Sequence, residues 1–83
     1  MDLGITGQTA VVTGGSSGIG AAVAMLLKAE LACPVLWDLR SPDPSSPAAA
    51  LPFLQVDVCD AAAVQQTWDR TVQQFGPVSI LVH

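Results

Sequence analysis

The chain has 83 residues, of which 51% are hydrophobic and 12% charged, so it holds at most one small domain and is too apolar for a disordered tail. Three basic side chains against seven acidic ones give a net charge of -4, which argues against nucleic acid and against a polybasic membrane patch. The longest apolar run, Ala21 to Leu27, is too short to span a membrane, and no secretory signal is visible. We therefore expect a soluble cytoplasmic protein.

Two cysteines and one histidine are too few for a four-ligand zinc site, so the sequence predicts no metal centre. Cys33 and Cys59 both flank predicted strands, and we expect them to be small buried thiols without a disulfide. The chain contains no tyrosine.

The first part of the chain has the pattern strand, helix, strand. Thr9 to Thr13 is short, β-branched and apolar, which predicts a buried strand. From Gly18 the apolar residues follow a helical period, so a helix is predicted to about Leu31. Val35 to Trp37 is a second short strand, preceded by Pro34, which is tolerable only as its first residue. The apolar positions that define the helix are Ile19, Val23, Leu26 and Leu27.

The connection to the third strand is rich in proline, with four of the six prolines lying between Asp38 and Phe53. Its best helical candidate is a single turn capped by Ser46, with Pro47 in the first helical position. Phe53 to Val56 is the third predicted strand.

A second clear helix is predicted between the N-cap Asp60 and the pair Gly76-Pro77. Its apolar face is predicted to consist of Val64, Trp68, Val72 and Phe75, and Val78 to Val82 forms a fourth strand. Apolar strands that alternate with helices predict an α/β fold with a parallel sheet. In such a fold the ligand site lies at the carboxyl ends of the strands.

The segment from Thr13 to Gly20 joins the first strand to the first helix and is rich in glycine. Gly14 can form a sharp turn, Gly18 allows a phosphate to approach the backbone, and Gly20 allows the helix to pack closely on the strand. Donors for a pyrophosphate would come from the hydroxyls of Ser16 and Ser17 and from backbone N–H groups as far as Ile19.

An acidic residue follows the glycine turn at an informative distance. Asp38 lies 18 residues after Gly20 (38 − 20), at the end of the second strand, where a carboxylate can accept hydrogen bonds from the ribose hydroxyls of a dinucleotide. Because Val23 breaks the strict G-x-G-x-x-G spacing, an ordinary glycine-rich turn and a solvated acid remain the alternatives to a dinucleotide site.

The segment Thr13-Gly14-(three residues)-Gly18-Ile19-Gly20 resembles the cofactor signature of the short-chain dehydrogenase/reductase family. Asp57-Val58 resembles the adenine-contacting pair of that family, and Ile80 to Val82 resembles the strand that leads into its Asn-Ala-Gly motif. The resemblance covers almost the whole chain but only the first part of the family's fold. It implies that residues 1–83 form part of an NAD(P)-binding Rossmann domain, with strand order 3-2-1-4, in which the cofactor is contacted by Gly14, Ser16, Ser17, Gly18, Ile19, Gly20, Asp38, Leu39, Asp57 and Val58.

The charge at the end of the second strand favours NAD over NADP. The carboxylate of Asp38 would repel a 2′-phosphate, and the positions where NADP-preferring relatives carry a basic residue are Gly15, Ser16 and Leu39. Arg40 could still contact a phosphate, so NADP remains the alternative.

The resemblance also implies the activity, which is hydride transfer between the nicotinamide and a hydroxyl or ketone carbon. The family's catalytic Tyr-x-x-x-Lys pair is absent from these 83 residues, so no catalytic residue is predicted, and we expect the chain alone to be inactive. A small-molecule substrate would bind only in a full-length parent. The alternatives are a non-catalytic module that binds a dinucleotide or pairs with a relative, and an unstable truncated product.

Two further expectations concern stability and association. Relatives usually end the first helix with glycine, and this chain has Leu31, so the left-handed helix stop is predicted to be missing. With strand order 3-2-1-4, the strand at residues 78–82 is an edge without charge or proline, so we expect the chain to self-associate through it.

Overall fold

A computed structural model of the protein describes residues 4–83. Its four strands form one parallel sheet in the order β3-β2-β1-β4, which confirms the predicted Rossmann-type fold and strand order. The strands are β1 (Thr9–Thr13), β2 (Cys33–Asp38), β3 (Phe53–Gln55) and β4 (Val78–Val82). The helices are α1 (Gly18–Ala29) and α2 (Ala61–Phe75), and a short 3-10 helix, Pro47–Ala50, lies between β2 and β3.

Both faces of the sheet are covered by helices. Successive side chains of a strand point to opposite faces, so each central strand contributes to two clusters. Val11 and Trp37 belong to the cluster that packs against α2. Val12 and Leu36 belong to the cluster that packs against α1 and the 3-10 helix. The central residues of both strands are therefore apolar, as parallel strands buried on two faces require.

The helix α1 packs on the sheet through smaller side chains than the apolar period suggests. Ala24 is fully buried, and its neighbours at helical spacing pack against the same cluster. Ile19 and Leu26 are largely exposed, so the buried face of α1 differs from the face that the apolar period predicted.

The buried face of α2 is also centred on other residues than predicted. Thr67 and Thr71 are its buried residues, whereas Val72 is exposed, so the inclusion of Val72 in the packed face was wrong. Each threonine hydroxyl donates a hydrogen bond to a backbone carbonyl four residues earlier, at 2.7 Å in both cases. These bonds satisfy the hydroxyl groups within the helix, which lets threonine occupy a buried position.

The predicted loss of the left-handed helix stop after α1 was wrong. Leu31 itself adopts a φ of 65° and closes the helix. The Leu31 N–H donates to the Lys28 carbonyl and the Ala32 N–H to the Leu27 carbonyl, both at 3.0 Å, which is the pattern of a Schellman motif. The Leu31 carbonyl also accepts a bond of 2.9 Å from the Gly7 N–H, so the loop before β1 holds this turn in place.

Leu31→Gly is expected to stabilise the protein, because a leucine in the left-handed conformation costs about 1–2 kcal/mol that glycine does not. The side chain is 66% exposed, so little packing is lost. We expect a gain of about 1 kcal/mol in the free energy of unfolding, measured by denaturant titration. Leu31→Ala removes nearly the same apolar surface but keeps the strain, so a gain in that variant would contradict this explanation.

The prediction that Pro34 is tolerable only as the first residue of β2 was wrong. Pro34 is the second residue of this strand. The Cys33 N–H donates towards β1, to the Gln8 carbonyl, and the Leu36 N–H donates towards β3, to the Pro52 carbonyl. Alternation places the Pro34 nitrogen on the β3 side, where pairing with β3 starts only at Leu36. A proline is tolerated there because no strand needs its missing N–H.

The two cysteines are both exposed and free, so the expectation of buried thiols was wrong. Cys33 lies at the start of β2 and Cys59 in the turn before α2. In the part of the chain that the structure describes, neither helix has the length and apolar character to cross a membrane.

Candidate functional site

The carboxyl ends of the parallel strands lie at one edge of the sheet and bring together the segments that the sequence analysis singled out. The Gly14 N–H donates to the Trp37 carbonyl at 2.8 Å, which joins the glycine turn to the end of β2. The Val56 N–H donates to the Asp38 carbonyl at 3.0 Å, which joins the segment after β3 to the same place. This edge, with the turn at 14–18, Asp38-Leu39 and Asp57-Val58, is called the carboxyl edge below.

The positions of Gly18 and Gly20 favour glycine over other residues for different reasons. Gly18 has a φ of 59°, and an added Cβ would meet nothing within 4 Å, so its position faces open space in this chain. An added Cβ at Gly20 would fall on the Gly14 carbonyl oxygen. The helix α1 is therefore packed against the backbone of the turn itself, whereas the sequence analysis placed this close contact on the strand.

The two serines of the turn, which the sequence analysis treated alike, differ in their surroundings. Ser16 is only 6% exposed, and its Oγ is buried without a hydrogen-bond partner among the described residues. Ser17 is exposed and is the N-cap residue of α1, yet its side chain makes no capping hydrogen bond. Both hydroxyls thus have unused hydrogen-bonding capacity next to the first turn of a helix.

Asp38 is held against the glycine turn by backbone donors. Its Oδ2 accepts a hydrogen bond from the Ser16 N–H at 3.2 Å, and its Oδ1 accepts one from the Leu39 N–H at 2.7 Å. Each carboxylate oxygen has two acceptor positions, so both oxygens can accept a further bond. Within residues 4–83 no lysine or arginine forms an ion pair with this carboxylate, which leaves its negative charge uncompensated at the carboxyl edge.

Asp57 forms a local turn that leads into α2. Its Oδ1 accepts the Cys59 N–H at 2.9 Å, and its carbonyl accepts the Asp60 N–H at 3.0 Å. Asp60 in turn caps α2 by accepting from the Ala62 and Ala63 N–H groups, as predicted. The second oxygen of Asp57 makes no hydrogen bond within the described part of the chain, so the carboxylate can accept one from outside.

Three exposed apolar residues lie next to these polar groups in the chain. Leu39 and Val58 are exposed residues of the carboxyl edge, and Ile19 is an exposed residue of α1 directly after the glycine turn. Gln55, the last residue of β3, is joined to the Asp38-Leu39 segment, because its side-chain amide donates to the Leu39 carbonyl at 3.1 Å. The edge thus combines hydrogen-bonding groups with apolar surface, as small-molecule sites do.

Thr13 joins the end of β1 to the end of β4, a role that the sequence analysis did not predict. Its hydroxyl donates to the Val82 carbonyl at 3.2 Å and lies 3.1 Å from His83 Nδ1. While the hydroxyl proton is used on Val82, the contact with His83 requires a proton on Nδ1. His83 is therefore held at the same edge as the glycine turn.

The residues present fit a dinucleotide. The orphaned Ser16 Oγ, the open space above Gly18 and the exposed first turn of α1 match the needs of a pyrophosphate, which binds at helix N-termini. The acceptors of Asp38 match ribose hydroxyls. In the described residues there is no group of three or more His, Cys, Asp or Glu side chains that could hold a metal ion.

A four-stranded parallel sheet with a glycine turn at its carboxyl edge defines a Rossmann-type α/β protein. Within that class, the chain belongs to the short-chain dehydrogenase family, whose model matches residues 8–83.

Curated relatives match nearly all of this chain. It is 36% identical to D-threitol dehydrogenase of Mycolicibacterium smegmatis, over 99% of this chain and 34% of the relative. It is 34% identical to 15-hydroxyprostaglandin dehydrogenase (NAD+) of Bos taurus, over 95% of this chain and 33% of the relative. The chain thus spans about one third of the length of the curated relatives it matches.

Solved structures share the same fold. A protein of Novosphingobium aromaticivorans, described as a short-chain dehydrogenase, matches with a TM-score of 0.80 and 27% identity, over 93% of this chain and 31% of that one. A C-terminal deletion mutant of the aldohexose dehydrogenase of Thermoplasma acidophilum matches with a TM-score of 0.82 at 23% identity, over 94% and 32% of the two chains. The second likeness concerns the fold alone.

Proposed function

We propose that residues 1–83 form the cofactor-binding part of an NAD-dependent short-chain oxidoreductase that transfers a hydride between the nicotinamide and a hydroxyl or ketone carbon. The observation that carries this proposal is the placement of Asp38, whose carboxylate is bonded to the Ser16 N–H of the glycine turn. This contact supports the proposal, because the carboxylate proposed to accept from the ribose lies next to the turn proposed to bind the pyrophosphate. The names of two relatives, an NAD+-dependent 15-hydroxyprostaglandin dehydrogenase and D-threitol dehydrogenase, support the alcohol–ketone chemistry.

The residues of this chain would bind and orient the cofactor rather than act on substrate. The Ser16 and Ser17 hydroxyls and the N–H groups at the start of α1 would bind the pyrophosphate, and Gly14, Gly18 and Gly20 shape the turn that presents them. Asp38 would accept from the adenosine ribose, while Asp57, Val58 and the exposed side chains of Ile19 and Leu39 would contact the adenosine from either side. The bound dinucleotide supplies the hydride chemistry.

Proton transfer is a separate requirement that these residues do not meet. The 83 residues contain no tyrosine, and their only lysine, Lys28, lies exposed on α1. We therefore propose that the general acid and the substrate pocket belong to parts of a full-length protein outside these residues, and that this chain alone is inactive.

The proposed preference for NAD follows from the negative charge on Asp38. A 2′-phosphate at the position where the ribose hydroxyl would donate to Asp38 would place two negative groups in contact, which costs on the order of several kcal/mol at a partly shielded site. The free 2′-hydroxyl of NAD instead donates to the carboxylate. Arg40 lies exposed two residues further on and makes no ion pair in the described residues.

The test is Asp38→Ala in the full-length protein that contains this chain, with the dissociation constants of NAD and NADP measured by calorimetry. We expect NAD to bind more weakly and the ratio of NAD to NADP affinity to fall by about tenfold or more, because the ribose acceptor and the repulsive charge are both lost. Asp69→Ala is the matched control, since Asp69 is an exposed acid on α2 and its loss changes the net charge equally. An unchanged ratio in Asp38→Ala would refute the assignment of Asp38.

We also propose that the free edge of β4 is a self-association surface of the 83-residue chain. Among the described residues β4 pairs only with β1, and the strand contains neither charge nor proline.

A further inference from the structure

A buried side-chain hydrogen bond joins β2 to α2 one residue before Asp38 of the carboxyl edge. Trp37 is almost fully buried, and its indole Nε1–H donates a hydrogen bond of 3.2 Å to the Thr71 hydroxyl on α2. An indole can only donate, so the direction of this bond is fixed. The Thr71 hydroxyl proton is used on the Thr67 carbonyl at 2.7 Å, which leaves its oxygen lone pairs for Trp37.

The geometry of Thr71 is suited to this contact. Thr71 is fully buried, and the bond to Thr67 orients its oxygen because the hydroxyl cannot rotate without losing that bond. Trp68, one turn before Val72 on the same helix, packs edge-on against Trp37 with ring centroids 6.3 Å apart and an interplanar angle of 90°. The indole of Trp37 is thus fixed by one hydrogen bond and by one aromatic contact.

The backbone of Trp37 is connected to the carboxyl edge. Its carbonyl accepts the Gly14 N–H at 2.8 Å, and the next residue is Asp38, whose carboxylate accepts the Ser16 N–H. A movement of Trp37 would therefore displace the glycine turn and Asp38 together. The indole side chain is the part of this residue that anchors it to α2.

We propose that Thr71 is a positioning residue for the dinucleotide site: by holding the Trp37 indole, it sets the placement of Asp38 against the glycine turn. This inference rests on the proposed dinucleotide binding. Within the described residues the Thr71 hydroxyl bonds to Trp37 and Thr67 and not to the glycine turn or Asp38, so its effect passes through Trp37.

Thr71→Val in the full-length protein is the test, because valine has nearly the same shape but leaves the buried Trp37 N–H without a partner. We expect about tenfold weaker NAD binding by calorimetry. Thr67→Val is the matched control, since Thr67 is also buried on α2 and its hydroxyl bonds only to the Ala63 carbonyl within the helix. This variant is expected to bind NAD within about twofold of the wild type.

Thr71→Ser separates the hydroxyl from the packing of the threonine methyl group. We expect Thr71→Ser to bind NAD within about twofold of the wild-type affinity, even if the variant has a lower melting temperature. Equal affinity losses in Thr71→Val and Thr67→Val, or a loss in Thr71→Ser as large as in Thr71→Val, would overturn the proposal.

Hydrogen–deuterium exchange without ligand distinguishes a failure of this inference from a failure of the proposed function. In Thr71→Val the peptide covering residues 13–18 should exchange faster than in Thr67→Val, because the Gly14 and Ser16 N–H groups lose their fixed acceptors. A wild-type protein that binds no dinucleotide refutes the proposed function, and the exchange of this peptide still decides the role of Thr71. Unchanged exchange in Thr71→Val overturns that role.

Discussion

Gly18→Val is expected to abolish NAD binding while the protein remains folded. Gly18 has a φ of 59°, and an added Cβ would meet no atom of the chain within 4 Å, so a side chain can leave the backbone here without a clash at its first atom. The valine side chain would instead occupy the open space in front of the first turn of α1, which is the space proposed for the pyrophosphate. We expect the affinity for NAD to fall by about 100-fold or more, measured by calorimetry, with helix content by circular dichroism close to that of the wild type.

Backbone strain must be separated from obstruction of the site, because valine at a positive φ is strained anywhere. Gly76 provides the matched control: it has a φ of 86°, an added Cβ there also meets nothing within 4 Å, and it lies between α2 and β4, away from the carboxyl edge. Gly76 has a ψ of -176°, a backbone region that is almost restricted to glycine, so Gly76→Val should also lose stability, and it should retain NAD binding. A folded Gly18→Val protein that binds NAD as well as Gly76→Val would exclude the phosphate role.

The elements with strong local signals were predicted correctly from the sequence. The β1 strand lies at the predicted residues, the 3-10 helix has the predicted cap Ser46, and α2 begins after Asp60 and ends at Gly76. These signals are local because a capping side chain, a proline at the first helical position or a glycine at a helix end acts within one turn. The sheet order followed from the family resemblance and was confirmed.

The predictions that failed concern residues whose state depends on distant partners. Leu31 has no sequence signal for a left-handed conformation, and it adopts one because two helix carbonyls and the Gly7 N–H bond to this turn. Thr71 appears polar in the sequence, and it is buried because its hydroxyl bonds to Thr67 and Trp37. Periodicity counts apolar residues and cannot register a threonine that satisfies its own hydroxyl within the helix.

For the candidate site, the sequence predicted which segments meet but not how their side chains differ. The resemblance brought together the glycine turn, Asp38 and Asp57, and the parallel sheet places them at one edge. The buried, unpartnered Oγ of Ser16 could not be predicted, because Ser16 and Ser17 are adjacent and chemically identical. Their difference arises from the turn, which covers the Ser16 hydroxyl and leaves the Ser17 side chain exposed at the helix cap.

The 83-residue chain on its own is expected to self-associate through β4. In the described residues this strand pairs with β1 along one edge only, so the backbone groups of its other edge have no partner strand. The sequence Val-Ser-Ile-Leu-Val contains no charge or proline to prevent pairing, and Leu81 is 58% exposed. Burial of about 400 Å² of apolar surface in such a pair would contribute about 10 kcal/mol, against an association cost of about 4–15 kcal/mol.

Leu81→Lys should shift the chain towards monomer, because a lysine on an edge strand must be desolvated or repelled when two edges pair. Leu26→Lys is the matched control: Leu26 is 68% exposed on α1, and the substitution adds the same charge away from β4. Sedimentation velocity over a series of concentrations should show association in the wild type and in Leu26→Lys, and less in Leu81→Lys. If the wild type is instead a monodisperse monomer with a cooperative thermal transition and protected β4 amides, the free edge of β4 does not drive association.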